Sequence, residues 1–482
     1  MKVLIPLLML VMLVDSTSFA ASKPLTLKQA LKIALEKNLE VKLAQLEAEK
    51  GQTHIESAES PFDTTAAATA DWKEDRDKST STSLVGTKNI TENFNASLTK
   101  KIITGTNLDL QFKNIYKETD ATSSALKTYW DPKLELNITQ PILKNFFGVN
   151  DRNNLKVGEL KNILYRYRSE DQMEIALSTI SKLYLDFSAA EETLQIKKEA
   201  LEHAKKLYTA NKKKLKLGTL EETDLLASEA NVLSRENDTL IAKNNWELAH
   251  ENLKVVLEEK TAIIFVPKDP ISFHEETFEL SKSIAEAFKN RKEYLIAQKE
   301  LEQKNVSLSV SKNSLFPQID LVATLASNGL DKDYPKAIND ISSLNYPTTY
   351  AGITFKFPLE NNAARSSYNQ NRIEKLTALY TFQKLENEIH LDMAQHLKTL
   401  TTFALKTKSS EKINTLLKKK MLGEEKKFNQ GRSSINFVIQ FQEDYLNSSI
   451  QKIQAMVDYE KSKLDFKKAQ GTLLDELLKK AL

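Results

Sequence analysis

Residues 351–367, AGITFKFPLENNAARSS, set Ala351, Ile353, Phe355, Phe357 and Leu359 in alternation with Gly352, Thr354 and Lys356. A period of two predicts a strand with one apolar face. Pro358 and the pair Asn361-Asn362 end it, and a polar, leucine-studded helical pattern then runs without glycine or proline until Gly423. Residues 133–154, KLELNITQPILKNFFGVNDRNN, do the same. Leu134, Leu136 and Ile138 alternate with Glu135, Asn137 and Thr139, Pro141 follows, and a second long helical pattern begins. From about Asn154 to Lys216 that pattern is interrupted only by Gly158, a helix of roughly 90 Å at 1.5 Å per residue. Such a length points to a coiled coil or a helical repeat. Ile180, Phe187, Leu194, Leu201 and Tyr208 sit seven apart, and Leu183, Ala190 and Ala204 supply most of a second seam. Phe382, Ile389, Phe403 and Leu417 keep that spacing later in the chain, with His396 and Ser410 interrupting it.

Further strands are expected in residues 62–141. Phe94, Ala96 and Leu98 alternate with polar partners, as do Leu108, Leu110 and Phe112, with Thr104-Gly105 as the turn between them. Thr64, Ala66, Ala68, Ala70 and Trp72 form a weaker alternation. Ile319, Leu321, Ala323 and Leu325 add one more before residues 353–359, so about four strands precede the midpoint and two follow it. The connections EDRDKSTSTSLVGTKNITEN and NGLDKDYPKAINDISSLNYP are long, polar and rich in turn residues.

The pattern is written twice. Ala34, Glu40, Ala44 and Gln45 match Ala287, Glu293, Ala297 and Gln298 at one offset. Leu217-Gly218 aligns with Gln430-Gly431, and Leu233, Ala242, Trp246 and Glu247 match Leu446, Ala455, Tyr459 and Glu460 at a second offset. The offset changes because the first half has the longer strand region. Each half reads helix, strands, long helix, glycine turn, helix. The expected organisation is a signal peptide at 1–20, a first repeat at 21–265, a linker at 266–276 with two prolines, and a second repeat at 277–482.

Composition agrees with a helix-dominated chain. Glycine and proline number only 11 each in 482 residues, and charged residues make up 28%. The formal charge of +3 and the lack of a basic stripe interleaved with aromatics give no sign of nucleic-acid binding. The lysine runs 212–214 and 418–420 read as solvated helix faces. Lys2, the apolar run Val3–Val14 and the small residues of Ser18-Phe19-Ala20 have the order of a secretory signal peptide; the run is too short for a membrane anchor. Cysteine is absent, which excludes disulfides, metal-thiolate sites and a lipid anchor on an N-terminal cysteine. No later run of 18 apolar residues occurs, so an exported chain of this kind enters a membrane with strands or not at all.

Strands of about 9–11 residues with one apolar face suit a bilayer, although a small soluble sheet capping a helical bundle gives the same pattern. In lipid an open sheet edge is forbidden, because unpaired N–H and C=O groups find no water there. A barrel needs about eight strands or more, and this chain supplies four to six. Strands in a membrane therefore require several copies to close one barrel.

On these features the chain resembles the outer membrane efflux protein family, the TolC-like exit ducts of Gram-negative bacteria. The resemblance covers essentially the whole mature chain. It is carried by LTLKQALKIALEKNLEVKLAQLEAE, by SLFPQIDLVATLA, by LELNITQPIL and GITFKFPLEN before the long helices, and by LGTLEETDLLASEANVLSRENDTLIAKNNWELAHENL with its echo at 430–466. It implies a mainly α fold: long antiparallel coiled-coil helices in a trimeric periplasmic α-barrel, and strands in a shared outer-membrane β-barrel. It also implies a homotrimer in outer-membrane lipid, a periplasmic adaptor, and an inner-membrane transporter of proton-driven or ABC type. The family contributes four strands per chain to a twelve-stranded barrel, and the extra hairpin near 92–116 departs from this. Either that hairpin rises above the membrane, which is the reading preferred here, or it widens the barrel to about eighteen strands.

By the same resemblance the tunnel narrows at the periplasmic tips, where the adaptor docks. The corresponding residues are Leu217, Gly218, Thr219 and Asp224 in the first half and Gln430, Gly431, Arg432, Ser433 and Phe437 in the second. The acidic position six after the glycine is Asp224 in one half and Phe437 in the other, so the second repeat lacks the carboxylate; Asp224 is equally readable as a surface-helix residue. No nucleophile with a base, phosphate loop or metal motif is found, and His390 and His396, six apart, do not share a helix face as an i, i+4 pair does. Neither an enzyme nor a cofactor is expected. The expected function is a passive exit duct for efflux or type I secretion. The alternatives are an exported coiled-coil scaffold with a β cap and a periplasmic binding module.

Overall fold

A computed structural model of the chain describes residues 22–260 and 263–481; the expected signal peptide, 1–20, lies outside them. The elements are, in order, β1 (Ser22–Leu25), α1 (Leu27–Lys37), α2 (Leu39–Glu59), β2 (Thr65–Asp75), α3 (Thr82–Val85), β3 (Asn89–Lys101), β4 (Asn107–Thr119), β5 (Thr128–Pro141), α4 (Val149–Lys216) and α5 (Glu222–Val256). They continue with β6 (Ile264–Pro267), α6 (Leu280–Asn290), α7 (Lys292–Asn313), β7 (Gln318–Asn328), α8 (Tyr334–Ser342), β8 (Pro347–Lys356), α9 (Asn362–Asn429), α10 (Ile435–Ala469) and α11 (Leu473–Ala481).

The helix lengths recur. α1, α2, α4 and α5 have 11, 21, 68 and 35 residues, and α6, α7, α9 and α10 have 11, 22, 68 and 35. At 1.5 Å per residue, a 68-residue helix is about 100 Å long. α9 runs straight through Gly423, where an added Cβ would meet nothing within 4 Å. Among the described residues no helix is long and apolar enough to cross a membrane.

Two compact units are formed, and each draws on both halves of the chain. The first comprises the described residues of Met1–Leu43, Gln172–Arg291 and Ile389–Leu482; the second comprises Ala44–Asp171 and Lys292–Glu388. In the first unit, the expected seam of α4 is indeed turned inward: Ile180, Phe187 and Leu194 are buried, with Tyr184 beside them. Ile180, Tyr184 and Phe187 pack with Leu31, Leu253, Phe265 and Leu477 in one core. The Tyr184 hydroxyl donates to the Leu25 carbonyl at 3.0 Å and to Asp269 at 3.2 Å, and burial pushes its pKa up to about 12. β1 and β6 pair in parallel over this core, a two-stranded element that the sequence pattern does not announce. Thr26 and Gln29 close a capping box at the start of α1.

The helix pairs of this unit are antiparallel and laced by polar bonds. Lys197 meets Asp238 at 2.8 Å across α4 and α5. Lys406 meets Asp458 at 2.9 Å, and Asn414 donates to Ser449 at 2.8 Å, across α9 and α10. Thr407 is fully buried and donates to the Ala455 carbonyl at 2.9 Å.

The second unit holds one antiparallel sheet of six strands in the order β2-β3-β4-β5-β7-β8. The β3–β4 hairpin does not leave this sheet. β3 pairs with β2 from Thr65↔Thr99 to Asp75↔Asn89, and β4 pairs with β5 from Asn107↔Thr139 to Glu118↔Thr128. This corrects the preferred expectation of a hairpin rising above the other strands. The alternation of β3 and β4 is in phase with that of their neighbours, so pairing along their whole length keeps Phe94, Ala96, Leu98, Leu108, Leu110 and Phe112 on the face that carries Ala66 and Leu136.

Candidate functional site

The sheet has two chemically distinct faces. Ala66, Leu98, Leu110, Leu136, Leu325 and Thr349 form one row across all six strands. On the same face lie Phe94, Phe112, Leu134, Leu321, Ile353 and Phe355. Leu325, Ile353 and Phe355 are 54%, 69% and 67% exposed. Asn114, a polar residue in the middle of this face, is buried. The opposite face carries the row Thr65, Thr99, Asp109, Asn137, Thr324 and Tyr350. Here Thr99 donates to Asp109 at 3.2 Å and Thr324 to Asn137 at 2.7 Å, while Lys133 and Lys113 reach Glu135 at 2.8 and 3.5 Å. An exposed apolar face this wide is a contact surface rather than ordinary protein exterior.

Aromatic residues mark both ends of the apolar band. Trp72, Glu92, Tyr116 and Trp130 share one row, and the Trp130 ring lies 4.9 Å from those of Tyr116 and Tyr334. At the opposite end, where strands meet helices, Phe146, Phe147 and Phe316 are about half exposed. From Leu108 to Tyr116 the band measures roughly 26 Å along the strand at about 3.3 Å per residue. The Trp72–Trp130 row was not read from the sequence, because its residues become neighbours only through strand register.

The β3–β4 turn is built into the corner where β5 enters α4. Gln140 donates to the Thr104 carbonyl at 3.2 Å, and Lys101 pairs with Asp151 at 2.7 Å. Gly148 has φ +74°, and an added Cβ would lie 1.9 Å from the Ile103 carbonyl. At the other end, Asp120 in the β4–β5 loop accepts from the backbone N–H groups of Thr87 and Lys88 at 2.6 and 3.0 Å, and from the Thr87 hydroxyl. These bonds pull its carboxyl down to about 2, so the link between the two loops stays charged.

The expected tip residues lie in the first unit. Gly218 and Gly431 have φ +69° and +70°, each just past the end of a 68-residue helix. Both close with the same pair of backbone bonds: Gly218 N–H to Leu215 O at 2.9 Å with Thr219 N–H to Lys214 O at 3.0 Å, and Gly431 N–H to Phe428 O at 3.0 Å with Arg432 N–H to Lys427 O at 2.9 Å. This is the Schellman stop, which requires a left-handed residue. Phe428, Ile435 and Val438 are buried together against Leu207 and Ala227, so one apolar cluster ties the two turns to each other. Leu217 is 78% exposed, Gln430 and Arg432 are exposed, and Ser433 donates to Glu424 at 2.6 Å. Asp224 is half-buried in the first turn of α5. Phe437, in the equivalent place on α10, is 53% exposed, and its ring lies 6.2 Å from that of Phe441. The structure therefore brings the two turns together.

His396 lies 3.2 Å from Asp392, and His390 packs edge-on against Phe288. His250 is buried between Trp246, Phe187 and Phe265, and its Nε2 accepts the Phe265 N–H at 3.0 Å. Burial holds its pKa below the usual histidine value.

This combination of a one-faced antiparallel sheet and paired 68-residue helices is the fold of the TolC-like outer membrane channels. Among solved structures the chain is similar to the CmeC outer membrane channel of Campylobacter jejuni, with a TM-score of 0.66 and 17% identity over 94% of this chain and 88% of that one. It is also similar to the open state of the Neisseria gonorrhoeae MtrE outer membrane channel, with a TM-score of 0.67 and 15% identity over 93% and 89%. The outer membrane protein VceC of Vibrio cholerae gives a TM-score of 0.63 and 12% identity over 92% and 96%. No family model matches the sequence, and no curated protein matches it significantly.

Proposed function

We propose that the protein is a passive exit duct of the outer membrane, working as a homotrimer. The observation that carries this reading is the six-stranded sheet with an exposed apolar face and two edge strands that are unpaired among the described residues. Lipid accepts that face and forbids those edges, so other copies must cover them. The fold shared with outer membrane channels supports the same placement. Substrates pass through a water-filled interior lined by the polar strand face and polar helix positions. An inner-membrane transporter, proton-driven or ABC type, supplies the energy for efflux or type I secretion. A periplasmic adaptor joins it at the tips around Gly218 and Gly431, where Leu217, Thr219, Asp224, Gln430, Arg432, Ser433 and Phe437 offer contacts. The recurring helix lengths support a duplicated chain, with repeats at 21–265 and 277–482 joined through 266–276.

Membrane fractionation and native mass measurement test this. The duct belongs in the outer-membrane fraction at three chain masses. A soluble monomer that needs no detergent would overturn it in favour of an exported scaffold.

A further inference from the structure

We propose that the β3–β4 hairpin crosses the membrane, so that three copies close one barrel of eighteen strands instead of twelve. This rests on the trimeric reading above. Three copies of a six-stranded sheet supply eighteen strands. The even count also matters. β2 and β8, the two edges, run in opposite directions, so β8 of one copy meets β2 of the next as an antiparallel neighbour and the ring closes without a mismatch. The occupant of each free edge is therefore a second copy of this chain. Both edge strands are almost wholly exposed, whereas the strands between them are mostly half-buried.

Three observations place the hairpin in the lipid-facing wall. Phe94, Ala96 and Leu98 on β3 and Leu108, Leu110 and Phe112 on β4 continue the apolar rows of β2 and β5. The Trp72–Trp130 aromatic row passes through the hairpin at Tyr116. The turn at 102–106 reaches the strand-to-helix corner and is bonded there through Gln140 and Asp151, so the hairpin traverses the full height of the sheet. A hairpin standing above the membrane would end at the opposite side and would leave β2 paired with β5.

The consequence is a wider mouth. At a strand spacing of ~4.7 Å and a tilt of ~40°, eighteen strands enclose a backbone diameter of about 35 Å, against about 24 Å for twelve. Barrels of this larger size hold an aqueous channel, which suits hydrophilic cargo.

The natural chain has no cysteine, so introduced thiols report without background. Single cysteines at positions 94 to 99, probed in intact outer membranes with a water-soluble maleimide, should label with a period of two. Labelling should be lost in Phe94→Cys, Ala96→Cys and Leu98→Cys and kept in Asn95→Cys, Ser97→Cys and Thr99→Cys. The double variant Ala68→Cys/Ala96→Cys should form a disulfide within one chain, because these residues face each other across β2 and β3. Ala351→Cys combined in turn with Ala66→Cys, Ala68→Cys or Ala70→Cys should cross-link between chains for at least one pair. A trimer in the outer membrane whose positions 94, 96 and 98 label as freely as 95, 97 and 99 overturns the eighteen-stranded barrel and leaves the duct standing. Absence of the protein from the outer membrane overturns both.

Discussion

Gly148 and Gly218 show how one residue type serves two ends. Both have positive φ, but a Cβ on Gly148 strikes the Ile103 carbonyl, while one on Gly218 meets open space. Gly218→Ala and Gly431→Ala should each cost only roughly 1 kcal/mol, the strain of a left-handed L-residue. Gly148→Ala should cost roughly 2–3 kcal/mol, since backbone strain and a backbone clash combine. Denaturant midpoints of the three variants test the ranking. His250 gives a prediction about acid. Its pKa is lower in the fold than in the unfolded chain, mainly through burial, with Glu251 opposing the shift and Lys254 adding to it. The unfolded chain therefore binds the extra proton first. Stability is full above the unfolded value of about 6.5 and falls as pH drops from there towards the lower folded value. Urea titrations at stepped pH should show this slope, and His250→Gln should flatten it. Sequence reading found neither role, because each depends on a partner more than ten residues away.

The elements were far more legible. Periodicity located Leu134–Ile138 and Ile319–Leu325 within observed strands, but the alternation expected to run to Leu359 overshot its strand, which ends at Lys356 and leaves Phe357 and Leu359 beyond it, where Pro358 cannot donate to a ladder. The heptad positions Ile180, Phe187 and Leu194 proved buried because a seven-residue repeat must face a partner along its whole length. Gly218 and Gly431 were readable as helix stops because no other residue makes that turn cheaply. The course of the β3–β4 hairpin was not readable: alternation tells which residues share a face, not which strand lies alongside. The two faces of β3 also give a prediction. Ala96→Arg places a cation on the apolar face and should cost about 2–4 kcal/mol if it lies near the bilayer midplane, lowering the amount of assembled protein in the outer membrane. Ser97→Arg, one residue on, should leave that amount close to the natural level. Equal losses in both would count against a lipid-facing sheet.

At the scale of the whole molecule, the sheet has two edges, β2 and β8, with which no other strand among the described residues pairs. If other copies cover them, folding and association are one event, and the unfolding midpoint must rise with protein concentration. Thermal melts in detergent at widely different concentrations check this, and a midpoint that does not move would contradict a shared barrel. The adaptor contacts at the helix turns make a separate proposal, since Asp224 and Phe437 differ in chemistry at equivalent places.

By itself the amino-acid sequence determined the long helices and the six strands of the sheet and their amphipathic faces, because those follow from the local periods of 3.6, 3.5 and 2; it gave no sign of β1 and β6. Only the tertiary structure decided that β3 and β4 lie between β2 and β5, that Gly148 holds their turn against a helix corner, and that compact units draw on both halves of the chain. Those outcomes depend on register and on contacts between residues far apart in the chain, for which a local pattern of polar and apolar side chains carries no signal.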